Sequence, residues 1–594
     1  MHHADTTVLL ACLKDDLSIE QGVLTDALNI DQYDLLYPQI EQRMWQGDDA
    51  AFAHWLGRYQ ALFREQQALI DASDLREQHH FIIGIPVAGR PAHLRHCLDS
   101  ILQQCHLFGY GGQDAGGRYA KFTVIVSEDS RDAEHRAQHQ ALVAEYCDKG
   151  LSVVHYDLPE QVQLLQAIPD TERAQLGRLL TTQPADRFYQ KGQAANRNLC
   201  YLKMRQLTQD TARTLYYLVD SDQLFLVNRQ TAEGERAYPA LNYFYTLDRI
   251  FRTQPVSVLT GKLVGDPPVS PAVMAANFLD DVTAFLQRIA TLDSHAACSF
   301  HPQNVPLPDD AAYHDLASRF GFDAPTQAVD YRCPLEGAHD HAACLSTFSA
   351  RLHNFFFGEH LTRKTGFRYA GSSLALSPAR TIYPGNTIVN FEGLKTIIPF
   401  GHLRLRMSGP TAGRLIQAEI GSRFASVNLP MLHKRTIADA QDAFRPGVEQ
   451  HNAAIDISDE FERQFFGDLM LFSVVAWLKD HRLDDLSDST QLDTVVEQVE
   501  AGLLVDYADK HRAVNDRREA LERWLDARPG WPDPSTHARL TQFLRNIAAN
   551  FGDASPAWTQ IQSAAHRQQR RQQIVDALRH YRRERDAWDR LFSQ

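Results

Sequence analysis

An α/β fold is expected of this chain: a mostly parallel sheet with helices on both faces, flanked by N- and C-terminal helical regions. Three observations point to it. Short apolar runs alternate with stretches of helical periodicity through the middle of the chain. Acidic pairs stand at the ends of two of these runs, where open parallel sheets bind their ligands. Both ends of the chain space their apolar residues as helices do, with few breakers.

Residues 1–78 read as a helical region, in which Leu9, Leu10 and Leu13, then Trp45, Phe52, Trp55, Leu56, Tyr59 and Leu62 recur at helical spacing. The period changes at His79. Phe81-Ile82-Ile83-Gly84-Ile85-Pro86 is a continuous apolar run closed by proline, the pattern of a buried strand. Pro91 to Gln104 follows as a helix with Leu94, Leu98, Ile101 and Leu102 on one side. Phe122 to Val126 and Leu151 to Tyr156 read as strands, Gln193 to Leu207 as a helix, and Leu215 to Val219 as a strand ending in Asp220-Ser221-Asp222. Val256 to Thr260 is a further strand, and an irregular insertion containing proline and histidine occupies about 265–365. Ala425 to Leu432 resumes strand character and ends at His433-Lys434-Arg435. From 437 the pattern is helical, marked by Phe461, Phe465, Leu469 and Phe472, then Val495, Val499 and Leu503. The expected organisation is therefore 1–78 helical, 79–436 sheet domain, and 437–594 helical.

A chain of 594 residues is too long for one hydrophobic core. Its net charge of −14 argues against nucleic-acid backbone binding and leaves room for a local basic pocket. No apolar run has the length of a membrane-spanning helix, and Met1-His2-His3-Ala4-Asp5 lacks the basic-then-apolar pattern of a signal peptide. Eight scattered cysteines suit a reducing compartment, so a cytoplasmic location is expected.

Asp220-Ser221-Asp222 carries the most chemistry. Two carboxylates one residue apart project the same way at a strand tip. Hard anionic oxygens there suit a divalent cation, and the cation suits a diphosphate. The same tripeptide also makes a good strand-ending turn, because Asp and Ser side chains cap their own backbone.

Over roughly 79–436 the chain resembles the GT-A fold glycosyltransferases, especially the family-2-like group. Four pieces in the family's order carry the resemblance: Ile83-Gly84-Ile85-Pro86-Val87-Ala88-Gly89-Arg90, Val124-Ile125-Val126-Ser127-Glu128-Asp129-Ser130, Lys191-Gly192-Gln193-Ala194-Ala195-Asn196-Arg197-Asn198, and Tyr217-Leu218-Val219-Asp220-Ser221-Asp222. The resemblance implies that Pro86, Arg90, Glu128, Asp129, Lys191, Arg197 and Asp220 meet a nucleotide-diphosphate sugar, UDP- or GDP-linked, with Asn198 holding the loop. Glu128 stands where the family usually has Asp, and Asn196 where it usually has Ala.

Two later pieces extend it. Tyr369 to Leu376 is similar to the acceptor-side segment. Val427 to His433 is similar to a late strand ending in a metal-binding histidine, which implies Mn²⁺ or Mg²⁺ held by Asp220, Asp222 and His433. Many inverting members carry an acidic base before a helix. The corresponding stretch here, Arg406 to Leu415, has no acid. Either Glu392 or another carboxylate serves instead, or no such base is needed, and retention is favoured over inversion. Asp222, Arg406 and Glu392 are the expected catalytic residues, with Arg197, Lys191 or Arg406 adding cationic contacts to phosphate.

Two other functions compete with sugar transfer. A non-catalytic sugar-nucleotide scaffold would work through its terminal helices. A sugar-nucleotide nucleotidylyltransferase would need a Gly-x-Gly-Thr-Arg loop that Gly84 to Arg90 does not supply. The insertion holds His295, Cys298, His301, Cys333, His339, His341 and Cys344, soft ligands enough for zinc but at the spacing of no common module; ordinary loop residues are the other reading. The last helix carries Arg567, Arg570, Arg571, Arg579, Arg582, Arg583 and Arg585 beside an apolar stripe of Ile574, Leu578, Tyr581, Trp588 and Phe592. A basic amphipathic helix can touch a membrane or anionic partners; the simpler reading is a packed helix with a solvated face, and the C-terminal helices offer a surface for homo-oligomers.

Overall fold

The computed structural model describes residues 30–73, 77–181, 183–231, 234–266, 278–301, 331, 333–335, 337–354, 365–371, 373–383, 385–396, 400–435, 449–451, 454–456, 458–487 and 490–593. The expectations placed on Leu9, Leu10, Leu13, Ser372 and much of 265–365 lie outside these residues.

Thirteen strands occur among the described residues: β1 (His80–Val87), β2 (Phe122–Glu128), β3 (Val153–Tyr156), β4 (Thr214–Val219), β5 (Gln223–Leu224), β6 (Val227–Thr231), β7 (Gly234–Tyr238), β8 (Val258–Gly265), β9 (Leu376–Pro378), β10 (Asn386–Val389), β11 (Phe424–His433), β12 (Glu449–His451) and β13 (Ala454–Asp456). Nine of them form one sheet in the order β3-β2-β1-β4-β10-β8-β11-β5, with β9 paired to β11. β1, β2, β3, β4, β8 and β11 run the same way, and β10 lies antiparallel between β4 and β8. The sheet is thus mostly parallel and mixed, as expected of the fold. β6 and β7 form a separate hairpin, as do β12 and β13.

Alternation along the strands explains the layers. Ile82, Ile125, Tyr216, Leu218 and Val258 point into one core, which they share with Leu199 and Met204 of the helix Gln193–Leu207 and with Phe465, Trp477, Tyr581 and Trp588 of the C-terminal helices. Their neighbours Phe81, Ile83, Ile85, Val124, Leu215 and Tyr217 point into a second core with the helices Ile30–Gln46, Asp49–Ala72 and Pro91–Phe108. The two helical regions at the chain ends therefore cover the sheet's two faces.

Polar contacts lock the last helix, Ala564–Ser593, in place. Trp588 Nε1 donates to Leu394 O (3.3 Å), Arg585 pairs with Glu419 (3.0 Å) and Arg178 with Glu584 (2.9 Å). Arg567 and Arg571 meet Glu500, and Arg570 meets Glu462. Its buried stripe is the one expected, and most of its basic face is spent on carboxylates of neighbouring helices.

Candidate active site

Five parallel strands deliver side chains to one end of the sheet. Arg90 follows β1, Asp129 follows β2, Asp220 and Asp222 follow β4, Asp266 follows β8, and His433 ends β11. The parallel pairing of β8 with β11 sets Gly265 beside His433. Strand direction, rather than any local motif, gathers these residues.

Asp222 is the centre of the cluster. Its side chain is 8 % exposed, and its Oδ1 lies 3.1 Å from His433 Nε2. Its Oδ2 lies 3.7 Å from Arg90 and 3.6 Å from Arg435. Lys434 N donates to Asp222 O (2.8 Å), so the two strand ends are stitched at this residue. Burial opposes the charge on Asp222, yet His433, Arg435 and Arg90 together hold its carboxyl below the usual carboxylate range.

His433 Nδ1 lies 3.0 Å from Asp266 O. A ring N–H donated to that carbonyl turns Nε2 to Asp222; against burial, the Asp222 carboxylate favours a proton on Nε2, and a metal ion bound there would take that proton's place. Gly265 makes this possible. Its φ is +84°, and a Cβ there would sit 2.5 Å from His433 O. The donor pair fits a divalent cation: neighbouring ligands of an octahedral ion bound at about 2.1 Å stand about 3 Å apart.

Asp220 is engaged differently. Its Oδ1 accepts from Arg197 Nη2 at 2.5 Å, and Gly385 approaches so closely that a Cβ there would lie 2.7 Å from Asp220 Oδ2. Asp220, Asp222 and His433 do not bring three ligand atoms within 4.8 Å of one another; among the described residues that occurs only within the insertion. Arg197 is buried in the helix Gln193–Leu207, and its Nε is a buried donor with no acceptor.

The β2 tip is occupied internally. Glu128 is fully buried and accepts from Asp129 N (3.0 Å), Ser130 N (2.7 Å) and two imidazoles, His139 (2.8 Å) and His155 (3.2 Å). One oxygen serves the turn and the other the two imidazoles, so this acid does not present itself to a ligand. Asp129 pairs with Lys191 (2.7 Å), and burial pushes its carboxyl up to about 6 against the pull of Lys191. Lys191 also donates to Glu128 O (3.1 Å). Asn196 is tied to Ser127 by two hydrogen bonds, and Asn198 donates to Leu179 O (3.0 Å), so both asparagines anchor this helix. Pro86 stands in register with Ser127, one residue short of the β2 tip.

Two expected catalytic residues do not join the cluster. Glu392 sits in the short helix Phe391–Leu394, exposed and paired with Lys395. β10 is antiparallel to β4 and ends where Val389 pairs Tyr216, so Glu392 lies beyond the opposite end of the sheet from Asp222. A base at Glu392 is thereby corrected: strand direction carries it away. Arg406 precedes the helix Ser408–Ile420, which returns the chain to the start of β11. Its guanidinium stands 3.5 Å from Glu460, and its N–H donates to Arg463 O (3.1 Å), so its described contacts are to the C-terminal helix Ser458–Asp480. The acceptor-side segment keeps Tyr369 and Ser373 in contact with the N-terminal helix, through Pro38 O and Glu41.

Arg435, Gly265 and Gly385 were not expected as site residues. Arg435 had a signal: it lies two residues past His433 in extended chain, on the same side. The glycines had none, because their partners are distant in sequence.

No protein-family model matches the chain, and no curated protein matches it either. Among solved structures the chain is similar to the mannosyltransferase PcManGT from Pyrobaculum calidifontis in complex with GDP-Man and Mn²⁺, at 10 % identity and a TM-score of 0.29, over 97 % of each chain.

Proposed function

We propose that this protein transfers a sugar from a nucleoside-diphosphate sugar to an acceptor, with the diphosphate and a divalent cation at the end of β4. The observation that carries the reading is the pairing of Asp222 with His433, whose tautomer Asp266 sets, beside Arg90 and Arg435. Two carboxylates face three guanidinium groups and an imidazole there, a balance that suits an anionic ligand. Asp222 and His433 would hold Mn²⁺ or Mg²⁺, with phosphate oxygens completing its shell. Bound there, the cation supplies neutralising charge to the departing diphosphate. Asp220, steadied by Arg197, orients the sugar side of the donor, and Asp129 with Lys191 borders the nucleoside side.

With Glu392 at the far end of the sheet and no acid in Arg406 to Leu415, the reading favours retention of the anomeric centre. The domain reading that accompanies it keeps 79–436 as the catalytic unit.

A thermal-shift screen of UDP and GDP with and without Mn²⁺ tests the proposal. One nucleotide is expected to raise the melting temperature only with the metal. A hundredfold excess over Kd stabilises by about 2.7 kcal/mol. Asp222→Asn should lose that metal-dependent shift and the metal-dependent release of nucleotide from the matching sugar donor. No shift with either nucleotide, or an equal shift in the variant, rejects the proposal. Binding without release in the wild type would favour the scaffold reading instead.

A further inference from the structure

Outside the sheet, three cysteines from three separate segments meet. Cys298, Cys333 and Cys344 are all buried, and their sulfurs lie within 4.8 Å of one another. The backbone builds this meeting point. Cys298 N donates to His339 O (2.9 Å), Cys333 N donates to Phe300 O (2.5 Å), and Ala297 forms a β-bridge with Asp340. Cys344 sits in the first turn of the helix His341–Asn354. All three thiols are free, and three cannot be consumed by one disulfide. The other described cysteines, at 97, 105, 147 and 200, belong to no such group.

An imidazole borders the three sulfurs on the Cys333 side. His339 Nε2 lies 3.2 Å from Cys333 Sγ, while its Nδ1 is 2.8 Å from Gly337 O. His339 stands just outside the three-sulfur group, and a proton on Nδ1, donated to that carbonyl, leaves the Nε2 lone pair turned toward Cys333. This is the outer contact that ligating histidines use to fix their tautomer. The other histidines sort themselves. His341 is engaged at both ring nitrogens, by Ser299 at Nε2 and by Asp293 O at Nδ1, and His295 is exposed beside Asp340. His301 shares a second group with Cys298 and His339 at the exposed edge.

We propose that Cys298, Cys333, Cys344 and His339 bind one structural Zn²⁺. Zinc–sulfur bonds of about 2.3 Å place tetrahedral sulfurs about 3.8 Å apart, within the spread of this cluster. Four protein ligands leave no open position, which marks a structural ion rather than a catalytic one. Each thiol gives up its proton to solvent on binding, so one zinc releases three protons and leaves a closed site of net charge −1. The ion would join the segment at 298, the residue at 333 and the start of the helix His341–Asn354. That helix packs against Pro534–Phe551 of the C-terminal region, where Arg539 donates to Ser346 O (3.3 Å). The expected consequence is a fixed base for the insertion against the C-terminal helices. It does not depend on the sugar-transfer reading.

Metal analysis of the full-length protein, purified without chelator from zinc-containing medium, is expected to find about one zinc per chain and no iron. A mercurial that caps thiols should release that zinc to a colorimetric chelator from the unmutated protein, which keeps the test valid if Cys344→Ser fails to fold. X-ray absorption at the zinc edge should give three sulfurs and one nitrogen, and Asp222→Asn should keep its zinc. Folded protein that holds and takes up less than about a tenth of an equivalent overturns the proposal, as does iron in place of zinc or an unchanged zinc content in folded Cys344→Ser.

Discussion

Glu41 shows how a single buried group shapes the pH response of this chain. It accepts from Tyr59 Oη (2.7 Å) and Ser373 Oγ (3.2 Å), and burial pushes its carboxyl up to about 7. Above its unfolded value of about 4.3, the unfolded chain has released this proton while the folded chain still holds it. Stability is therefore lost as pH rises from about 4.5 to about 7, and the loss levels off beyond. Glu41→Gln should remove that slope. In urea denaturation the variant should gain on wild type between pH 5 and pH 8, by an amount on the order of 2–3 kcal/mol. A constant difference across that range would show that Glu41 ionises freely in the folded state.

Arg90 illustrates what an element boundary imposes. It caps the helix Pro91–Phe108 in the left-handed region, at φ 60°, and from there its guanidinium faces Asp222. A side chain in that conformation costs about 1 kcal/mol that glycine avoids. Glycine is also the better helix cap of the two small residues. Arg90→Gly should therefore be more stable than Arg90→Ala by about 1 kcal/mol in urea denaturation. Both variants should weaken metal-dependent nucleotide binding alike, since both lose the cation. Equal stabilities would remove the claim of strain. Elements such as the helix Gln193–Leu207 and the strand ending at Val219 were legible because their periodicity is long and their boundaries carry turn residues. β5, β10 and the β6–β7 hairpin were not, because two- to five-residue strands carry too little pattern.

The terminal helices belong to the architecture of the sheet, with a stability consequence for the whole chain. Trp588 is fully buried 155 residues past the end of β11 and donates to Leu394 O. Trp588→Ala should cost about 3–5 kcal/mol, whereas Arg583→Ala on the exposed side of the same helix should stay within about 0.5 kcal/mol. A small effect of the first, measured by thermal unfolding, would mean that this helix docks weakly. The acid pair after β4, the histidine ending β11 and the alternation of strands and helices could be read from residue order, because each is a local pattern set by backbone period. Which acids meet which partners could not. Pairing of Asp222 with His433 rather than Asp220, occupation of Glu128 by His139 and His155, and removal of Glu392 to the far end all depend on strand order and direction. Those follow from contacts between residues distant along the chain, and a one-dimensional pattern does not contain them.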